Sequence, residues 1–286
     1  MGRPPLIEGE NYWYHVFNRG NAREDVFVSD MDRNLFLDAV FTRSDEYGVE
    51  IHAYALMSNH FHLLLMTRNA NLSTFMHDVQ SVFANKYNAA HERVGHIFGS
   101  RYRAIVVDTQ EYGHELTRYI HLNHARKRMK FGASLRDQLR DLREYMWSSY
   151  PDYVGLRDVG WPVITKTILV EFGDSLEERR RNYARYVKEG LLREIDPFKD
   201  VVAKCILGSD EFVGRMKRHL DSHAIGDHCA ATEVRRVTSH KLEEVIEVVS
   251  DVFGVRCEDM LAPRAGGAAG HARRVLLWAA AHWCRG

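Results

Sequence analysis

The feature that most constrains the fold is a hairpin pattern that carries two histidines. A strand pattern at 51–57 is followed, after two turn residues, by a second one at 60–67. Side chains alternate along a strand, so His60 and His62 point to one face, and the apolar residues between and after them point into a core. The sequence therefore predicts a sheet that is packed on one face and carries two imidazoles on the other.

The patterns on either side of this hairpin complete a recognisable order of elements. Upstream, a strand at 12–18 precedes a helix that Ser29 caps and Gly48 ends. Downstream, a helix at 72–91, a strand at 101–108 and a helix at 109–128 follow. The order β-α-β-β-α-β plus a helix predicts an α+β fold, namely a ferredoxin-like split βαβ arrangement whose antiparallel sheet has helices on one face.

The chain becomes mostly helical beyond residue 130, which predicts three parts. We expect a catalytic domain at 1–130, a helical extension packed on it at 131–224, and a further helical domain at 232–286. The patterns inside the last two parts predict one or two helices at 200–222, a linker at 225–231, an amphipathic helix at 239–253, a Gly-rich loop at 265–270 and a final helix at 271–284.

A tyrosine and an amide in the third predicted helix point to chemistry. Tyr119 and Asn123 are four residues apart, so they lie on the same side of the helix, whereas His121 is about 200° away from Tyr119 and should face the sheet or a neighbouring element. If Tyr119 and Asn123 face His60 and His62, two imidazoles and an amide oxygen can hold a divalent ion. The ion would neutralise a DNA phosphodiester, which the tyrosine attacks to give a phosphotyrosine and a free 3′ hydroxyl.

The composition is neutral overall but locally basic. Lys and Arg number 39, as do Asp and Glu, which is unusual for a DNA-binding protein, yet the segment 96–130 around Tyr119 has an excess of basic residues. The four cysteines form no CxxC pair, which argues against a structural zinc site and favours free thiols. Neither a signal peptide nor an apolar run of membrane-spanning length is present in the sequence, so we expect a cytoplasmic protein that does not enter a membrane.

Three motifs in this order resemble the single-tyrosine transposases with a His-hydrophobic-His motif, and most closely the REP-associated tyrosine transposase branch. They are Tyr-His-Val-Phe-Asn-Arg-Gly at 14–20, Leu-Met-Ser-Asn-His-Phe-His-Leu-Leu at 56–64 and Arg-Tyr-Ile-His-Leu-Asn at 118–123. The resemblance covers about residues 10–155. It implies that His60, His62 and Asn123 are the metal ligands and that Tyr119 is the nucleophile.

The same resemblance implies a substrate and a reaction. The enzyme would cleave and rejoin single-stranded DNA at repeated palindromes that fold into hairpins, with Mg²⁺ or Mn²⁺, without a nucleotide cofactor and as a monomer. A basic groove and base stacking on aromatic rings would hold the DNA. The candidate contacts are Asn18, Arg19, Arg101, Tyr102, Arg103, Arg126 and Lys127.

Two further features depart from or add to this family pattern. Where the family often has a proline after the amide ligand, this chain has His124, so its helix is expected to run longer. The segments 245–261 and 271–277 resemble the start of the DNA-binding domain of bacterial replication initiators, which would be incomplete here because the sequence stops at Gly286 before the helix-turn-helix. A plain helical packing module is the alternative for this region.

Two other functions compete with the transferase. One is a domesticated relative that binds hairpin DNA and no longer cuts it, which the intact set of Tyr119, His60, His62 and Asn123 argues against. The other is a replication-initiation or relaxase nuclease, and such proteins often carry a second catalytic tyrosine or a third histidine. Only one tyrosine in this sequence stands correctly beside an amide ligand.

Overall fold

A computed structural model of the chain describes residues 6–129, 134–157, 160–192, 196–223 and 242–261, together with 269, 272, 275 and 276; the side chains of 127–129, 221–223, 242–245 and 261 are not included. The chain divides into two compact units, Ile7–Val213 and Gly214–Gly286 with Met1–Leu6. All elements predicted to carry catalysis lie in the first unit. The three-part division at 130 and 224 stays a prediction.

The first unit is built on a five-stranded sheet with the order β2-β3-β1-β4-β5. The first four strands pair antiparallel, and the fifth runs parallel to its neighbour. The strands are β1 (Tyr12–Arg19), β2 (Val49–Leu56), β3 (His60–Thr67), β4 (Arg103–Val107) and β5 (Ile206–Leu207). The first four strands and their connections confirm the α+β, split βαβ arrangement predicted from the sequence.

Three long helices connect and cover this sheet: α1 (Asp30–Tyr47), α2 (Leu72–Ala90) and α3 (Thr109–Met129). Further helices in the described part of the chain are α4 (Leu135–Glu144), α5 (Tyr150–Val154), α6 (Lys166–Leu169), α7 (Leu176–Glu189), α8 (Asp210–His223), α9 (Leu242–Phe253) and α10 (Cys257–Leu261). The predicted ends of α1 are confirmed, since Ser29 forms a capping box with Asp32 and Gly48 adopts the left-handed conformation with a φ of 64°.

Both faces of the sheet are covered, not one. On the first face Phe61 of β3 packs against Phe36 of α1, with ring centroids 4.6 Å apart. On the opposite face Leu64 shares a buried cluster with Leu116 and Ile120 of α3. The prediction of helices on one face therefore holds for α1 and α2. The exception is α3, which packs on the other face, where His60 and His62 lie.

One helix, α8, lies in the segment 200–222, where one or two were predicted, and the strand β5 before it was not predicted. This strand lies beside β4, where the Val106 and Asp108 amides donate to the carbonyls of Cys205 and Leu207. These bonds satisfy the edge of β4, which would otherwise present unpaired backbone groups. A two-residue strand has no periodicity, so its formation depends on the edge that it covers rather than on its own sequence.

The helical extension packs around the second half of α3. A buried cluster joins residues of α3, α4, α5, α6 and α7: Leu122, Ala125, Leu142, Tyr150, Tyr153, Ile168, Leu169, Tyr183, Val187 and Leu191. The Ser149 amide also donates to the Tyr54 carbonyl of β2, which ties the extension to the sheet edge. The extension thus belongs to the same compact unit as the sheet.

In the second unit, α9 and α10 contribute to a small apolar cluster of Val249, Met260, Ala272 and Leu276. The predicted linker at 225–231 and most of the predicted loop and helix at 265–284 lie outside the described residues. The resemblance to a replication-initiator domain therefore stays a prediction. Of the helices that the structure describes, none has the length and apolar character needed to span a membrane.

Candidate active site

An open cleft of about 510 Å³ lies where β1, β3 and β4 meet α3. Its lining combines three imidazoles, a phenol, two amides, two guanidinium groups and two phenyl rings with small loop residues. The lining residues are His15, Phe17, Asn18, Arg19, Gly20, His60, His62, Gly99, Ser100, Arg103, Tyr119, Asn123 and Phe198. All four residues predicted to carry the chemistry are in this set.

The two histidines of β3 lie together in the cleft, with ring centroids 5.2 Å apart. The Nδ1 atom of His60 lies 2.7 Å from Asn59 Oδ1, and that of His62 lies 2.9 Å from His15 Nε2. Burial lowers the pKa of His62 well below its ordinary value and that of His15 to about 3. Both buried rings are therefore neutral near pH 7, which is the form that binds a metal.

Tyr119 reaches this pair from α3. Its ring centroid lies 5.7 Å from that of His62 and 4.9 Å from that of Phe198, with edge-on geometry in both cases. Burial raises the pKa of the Tyr119 hydroxyl, while a hydrogen bond from the Asn123 side chain and the charges of Arg126 and Arg19 act in the opposite direction. The hydroxyl is consequently protonated near neutral pH and would lose its proton only as it reacts.

Asn123 lies one turn after Tyr119 and lines the same cleft. Its Nδ2 atom donates to the backbone carbonyl of Tyr119 at 3.2 Å. Because the amide nitrogen is engaged in this way, the amide oxygen is the end of the side chain that suits a cation. The sequence-based expectation that Tyr119 and Asn123 share one side of a helix facing the histidines agrees with this placement.

Two imidazoles and one amide oxygen form a donor set that a divalent ion accepts. Within the described part of the chain, no cluster of three or more His, Cys, Asp or Glu side chains could hold a metal. His60, His62 and Asn123 form a different kind of donor set, since its third member is a side-chain amide. These three would hold the ion, and water and phosphate oxygens would complete its coordination.

Three of the seven predicted DNA-contacting residues, Asn18, Arg19 and Arg103, line the cleft. Arg19 and Arg103 are exposed side chains at the cleft. Asn18 also lines the cleft but is buried. Its side chain donates a hydrogen bond to the Ser100 carbonyl and accepts one from the Arg19 backbone amide, so it connects β1 to the loop at Ser100. Arg101 is exposed outside the lining.

The other predicted contacts lie elsewhere. Tyr102 is only 6% exposed, so the structure leaves no free ring face for base stacking and corrects that prediction. Arg126 donates to the Gly190 carbonyl at 2.8 Å and so ties α3 to the extension. The Lys127 side chain lies outside the described residues. The structure thus brings Arg19 and Arg103, but not Tyr102, to the cleft.

Three ring-bearing residues of the cleft, His15, Phe17 and Phe198, were not assigned from the sequence. His15 and Phe17 alternate along β1, and Phe17 pairs with His62 in the antiparallel register, so alternation on a neighbouring strand was a usable signal. Phe198 comes from the segment before β5 and packs 5.2 Å from His15 and 4.9 Å from Tyr119. Nothing local in the sequence marks Phe198, because only the path of the extension brings it here.

The expected course of α3 past Asn123 is confirmed, since the helix continues to Met129. His124 stacks on Tyr145 with 4.1 Å between ring centroids. His121 faces the extension, as expected from its angle on the helix, with Nε2 2.8 Å from Ser149 Oγ and Nδ1 2.8 Å from the Tyr183 hydroxyl. The helix that positions Tyr119 is therefore held on the side away from the cleft.

One family model matches part of this chain. Residues 9–123 match the family model of IS200-like transposases. No curated protein sequence matches the chain. Among solved structures, a REP-associated tyrosine transposase bound to a REP hairpin aligns with 17% identity and a TM-score of 0.42 over 58% of this chain and 93% of its own. A protein from Deinococcus radiodurans R1, provisionally classed as a transposase, aligns with 20% identity and a TM-score of 0.30 over 42% of this chain and 94% of its own.

The family match spans β1 to Asn123 and contains each element that forms the cleft except the segment bearing Phe198. The match ends at Asn123, in the part of α3 that packs against the helical extension. The matched residues 9–123 include all of β1, β2, β3 and β4 together with α1 and α2. Over residues 9–123, this chain is therefore similar to the IS200-like transposases.

Proposed function

We propose that this protein is a metal-dependent endonuclease and strand transferase for single-stranded DNA, acting through a covalent phosphotyrosine. The observation that carries the proposal is the convergence of Tyr119 with His62 in one cleft, at 5.7 Å between ring centroids. The family match supports a transposase domain, and the motif resemblance to the REP-associated branch motivates hairpin-forming palindromes as substrates. Because nucleophile and histidines come from one chain, we also propose that a monomer suffices.

The proposed step is an exchange at one phosphorus atom. The Tyr119 oxygen forms a bond to phosphorus, the bond from phosphorus to the 3′ oxygen breaks, and the tyrosine proton is lost as the leaving 3′ oxygen gains one. A bound Mg²⁺ or Mn²⁺ would supply charge neutralisation at the phosphate. Attack by a 3′ hydroxyl of another strand reverses the exchange and releases the tyrosine, so no external energy source is needed.

The chain's own residues would orient the substrate. Arg19 and Arg103 place positive charge at the cleft, where they can pair with backbone phosphates. Phe17 and Phe198 offer ring surface in the same cleft, which suits stacking of unpaired bases. Phe198 also packs edge-on against the Tyr119 ring, which is partly buried.

The test uses the full chain with hairpin oligonucleotides that carry a different fluorophore at each end, in Mg²⁺ or Mn²⁺, resolved on a denaturing gel. A 5′ phosphotyrosine keeps the 3′-labelled segment on the protein and frees the 5′-labelled one. We expect Tyr119→Phe to bind hairpins and form no adduct, because only the hydroxyl is lost. The matched control is Tyr112→Phe on the same helix, whose hydroxyl contacts Asp200 outside the cleft.

The same assay separates the competing functions. An adduct with Tyr119→Phe would refute the nucleophile assignment, and loss of the adduct with Tyr112→Phe would favour a two-tyrosine nuclease. Hairpin binding by the wild type without cutting would establish the catalytically silent binding protein. We expect His60→Ala combined with His62→Ala to abolish metal dependence and cutting together, and cleavage at the normal rate by that double variant would contradict the metal role.

A further inference from the structure

His15 occupies a position beside the cleft that the proposed mechanism does not use. It lies on β1, diagonally across the register from His62, and it is fully buried. The two imidazole planes are within 5° of parallel, and His15 Nε2 lies 2.9 Å from His62 Nδ1. This near-coplanar contact between ring nitrogens is the geometry of one shared hydrogen bond.

Apart from His62, the rings that contact His15 in the described part of the chain belong to phenylalanine and tyrosine side chains. Phe17 stacks on one side at 5.0 Å and Phe198 at 5.2 Å, and Tyr119 meets it edge-on at 6.3 Å. The other ring nitrogen, Nδ1, is buried and has no hydrogen-bond partner among the residues that the structure describes. Burial of an unpaired nitrogen is costly, so packing alone would favour an apolar side chain here.

The hydrogen bonds fix which nitrogen of each cleft histidine carries a proton. Asn59 Oδ1 can only accept, so His60 Nδ1 is the protonated nitrogen and its Nε2 keeps a lone pair. At His62, the lone pair stands on Nε2 only if Nδ1 carries the proton and donates to His15. An imidazole can bind a cation only through a nitrogen with a lone pair.

We propose that His15 is a positioning residue that accepts a hydrogen bond from His62 Nδ1 and thereby holds His62 in the tautomer whose Nε2 binds the metal. The inference rests on the proposed metal role of His60 and His62. In this arrangement His15 carries its own proton on Nδ1 and accepts through Nε2. The buried Nδ1 then has no hydrogen-bond partner among the described residues, which destabilises the fold. Asn59 and His15 would thus have the same role, which is to accept a hydrogen bond from Nδ1 of a metal ligand. Asn59 would do this for His60, which follows it in sequence, and His15 for His62 on the neighbouring strand.

The test measures metal affinity and tautomer without DNA. Mn²⁺ binding to the full chain is titrated by electron paramagnetic resonance for the wild type, His15→Leu and His15→Gln. We expect His15→Leu to weaken Mn²⁺ binding by about 10- to 100-fold, the range typical of lost outer-shell partners. His15→Gln can place an amide oxygen near the Nε2 position, so we expect it to retain affinity to within about threefold of the wild type.

Nitrogen-15 NMR of the histidine rings gives the second readout. Metal-free wild type should show His62 protonated on Nδ1, and His15→Leu should show it protonated on Nε2. A wild-type His62 protonated on Nε2, or wild-type Mn²⁺ affinity in His15→Leu, would overturn the proposal. If His15→Leu does not fold, the wild-type spectrum and the glutamine variant still decide. Absence of DNA cutting with normal metal binding would count against the proposed function and leave this inference intact.

Discussion

The Nε2 atom of His121 lies 2.8 Å from the Oγ atom of Ser149, and this contact joins α3 to the helical extension. His121 stands two positions after Tyr119 and points away from the cleft, into a buried aromatic group with Tyr150, Tyr153 and Tyr183. The extension therefore helps to fix the position of Tyr119, although Phe198 is the one residue that its described part contributes to the cleft.

Replacement of His121 should destabilise the fold. His121→Phe keeps an aromatic ring, which is somewhat larger, but removes both hydrogen bonds and leaves the buried hydroxyls of Ser149 and Tyr183 with fewer partners. We expect a loss of about 2 to 3 kcal/mol in the free energy of unfolding, measured with urea. His114→Phe, on a partly exposed position of the same helix, is the control and should change stability by under about 0.5 kcal/mol. Equal losses in the free energy of unfolding for the two variants would show that the hydrogen bonds of His121 do not stabilise the fold.

The residue after Asn123 should not tolerate the family's proline. At His124 a proline would remove a backbone donor inside a helix that runs to Met129 and would also remove the stacking on Tyr145. We expect His124→Pro to lower the free energy of unfolding by about 3 kcal/mol or more, and His124→Ala by about 1 kcal/mol. Thermal unfolding followed by circular dichroism measures both. An unchanged melting temperature in the proline variant would mean that α3 does not depend on continuing past Asn123.

Charge at the cleft should set the salt dependence of DNA binding. Arg103→Ala removes an exposed guanidinium from the lining, whereas Arg136→Ala removes one from α4 outside it. We expect Arg103→Ala to weaken binding of all single-stranded sequences similarly and to reduce the slope of log K against log salt by about 0.7. Fluorescence anisotropy at several salt concentrations gives both quantities. The proposed path of the DNA would be wrong if the two variants had the same slope.

Acid should destabilise the sheet through His52. This ring is fully buried on β2, stacks on Trp13 at 3.8 Å, and has a pKa that burial lowers to about 4. The unfolded chain binds a proton near pH 6.5 and the folded chain does not, so stability is complete above pH 6.5 and is lost as the pH falls toward 4. We expect a contribution of about 1 kcal/mol per pH unit across this window.

The variant His52→Gln isolates this contribution, because other buried histidines also resist protonation. Urea unfolding at several pH values should give a flatter profile for His52→Gln than for the wild type between pH 6.5 and 4. Parallel profiles would show that His52 takes up its proton without loss of structure. Lower stability of the variant at pH 8 would report only its packing beside Trp13.

Local periodicity was sufficient to predict the elements that hold the chemistry. Alternation along β3 puts His60 and His62 on one face, and the four-residue spacing puts Tyr119 and Asn123 on one side of α3. These relations depend only on the geometry of a strand and of a helix. For the same reason the capped start of α1 at Ser29 could be predicted from a few adjacent residues.

Contacts between distant segments were decided by the tertiary structure. Phe198 reaches Tyr119 because β5 pairs with the open edge of β4, and His15 reaches His62 because β1 lies beside β3 in a particular register. Tyr102 is buried for the same kind of reason, although its sequence neighbours are exposed arginines. Spacing in the sequence determines which side chains share a face of one helix or strand. Which faces of different elements pack against each other depends on the burial of the whole apolar surface, to which every element contributes.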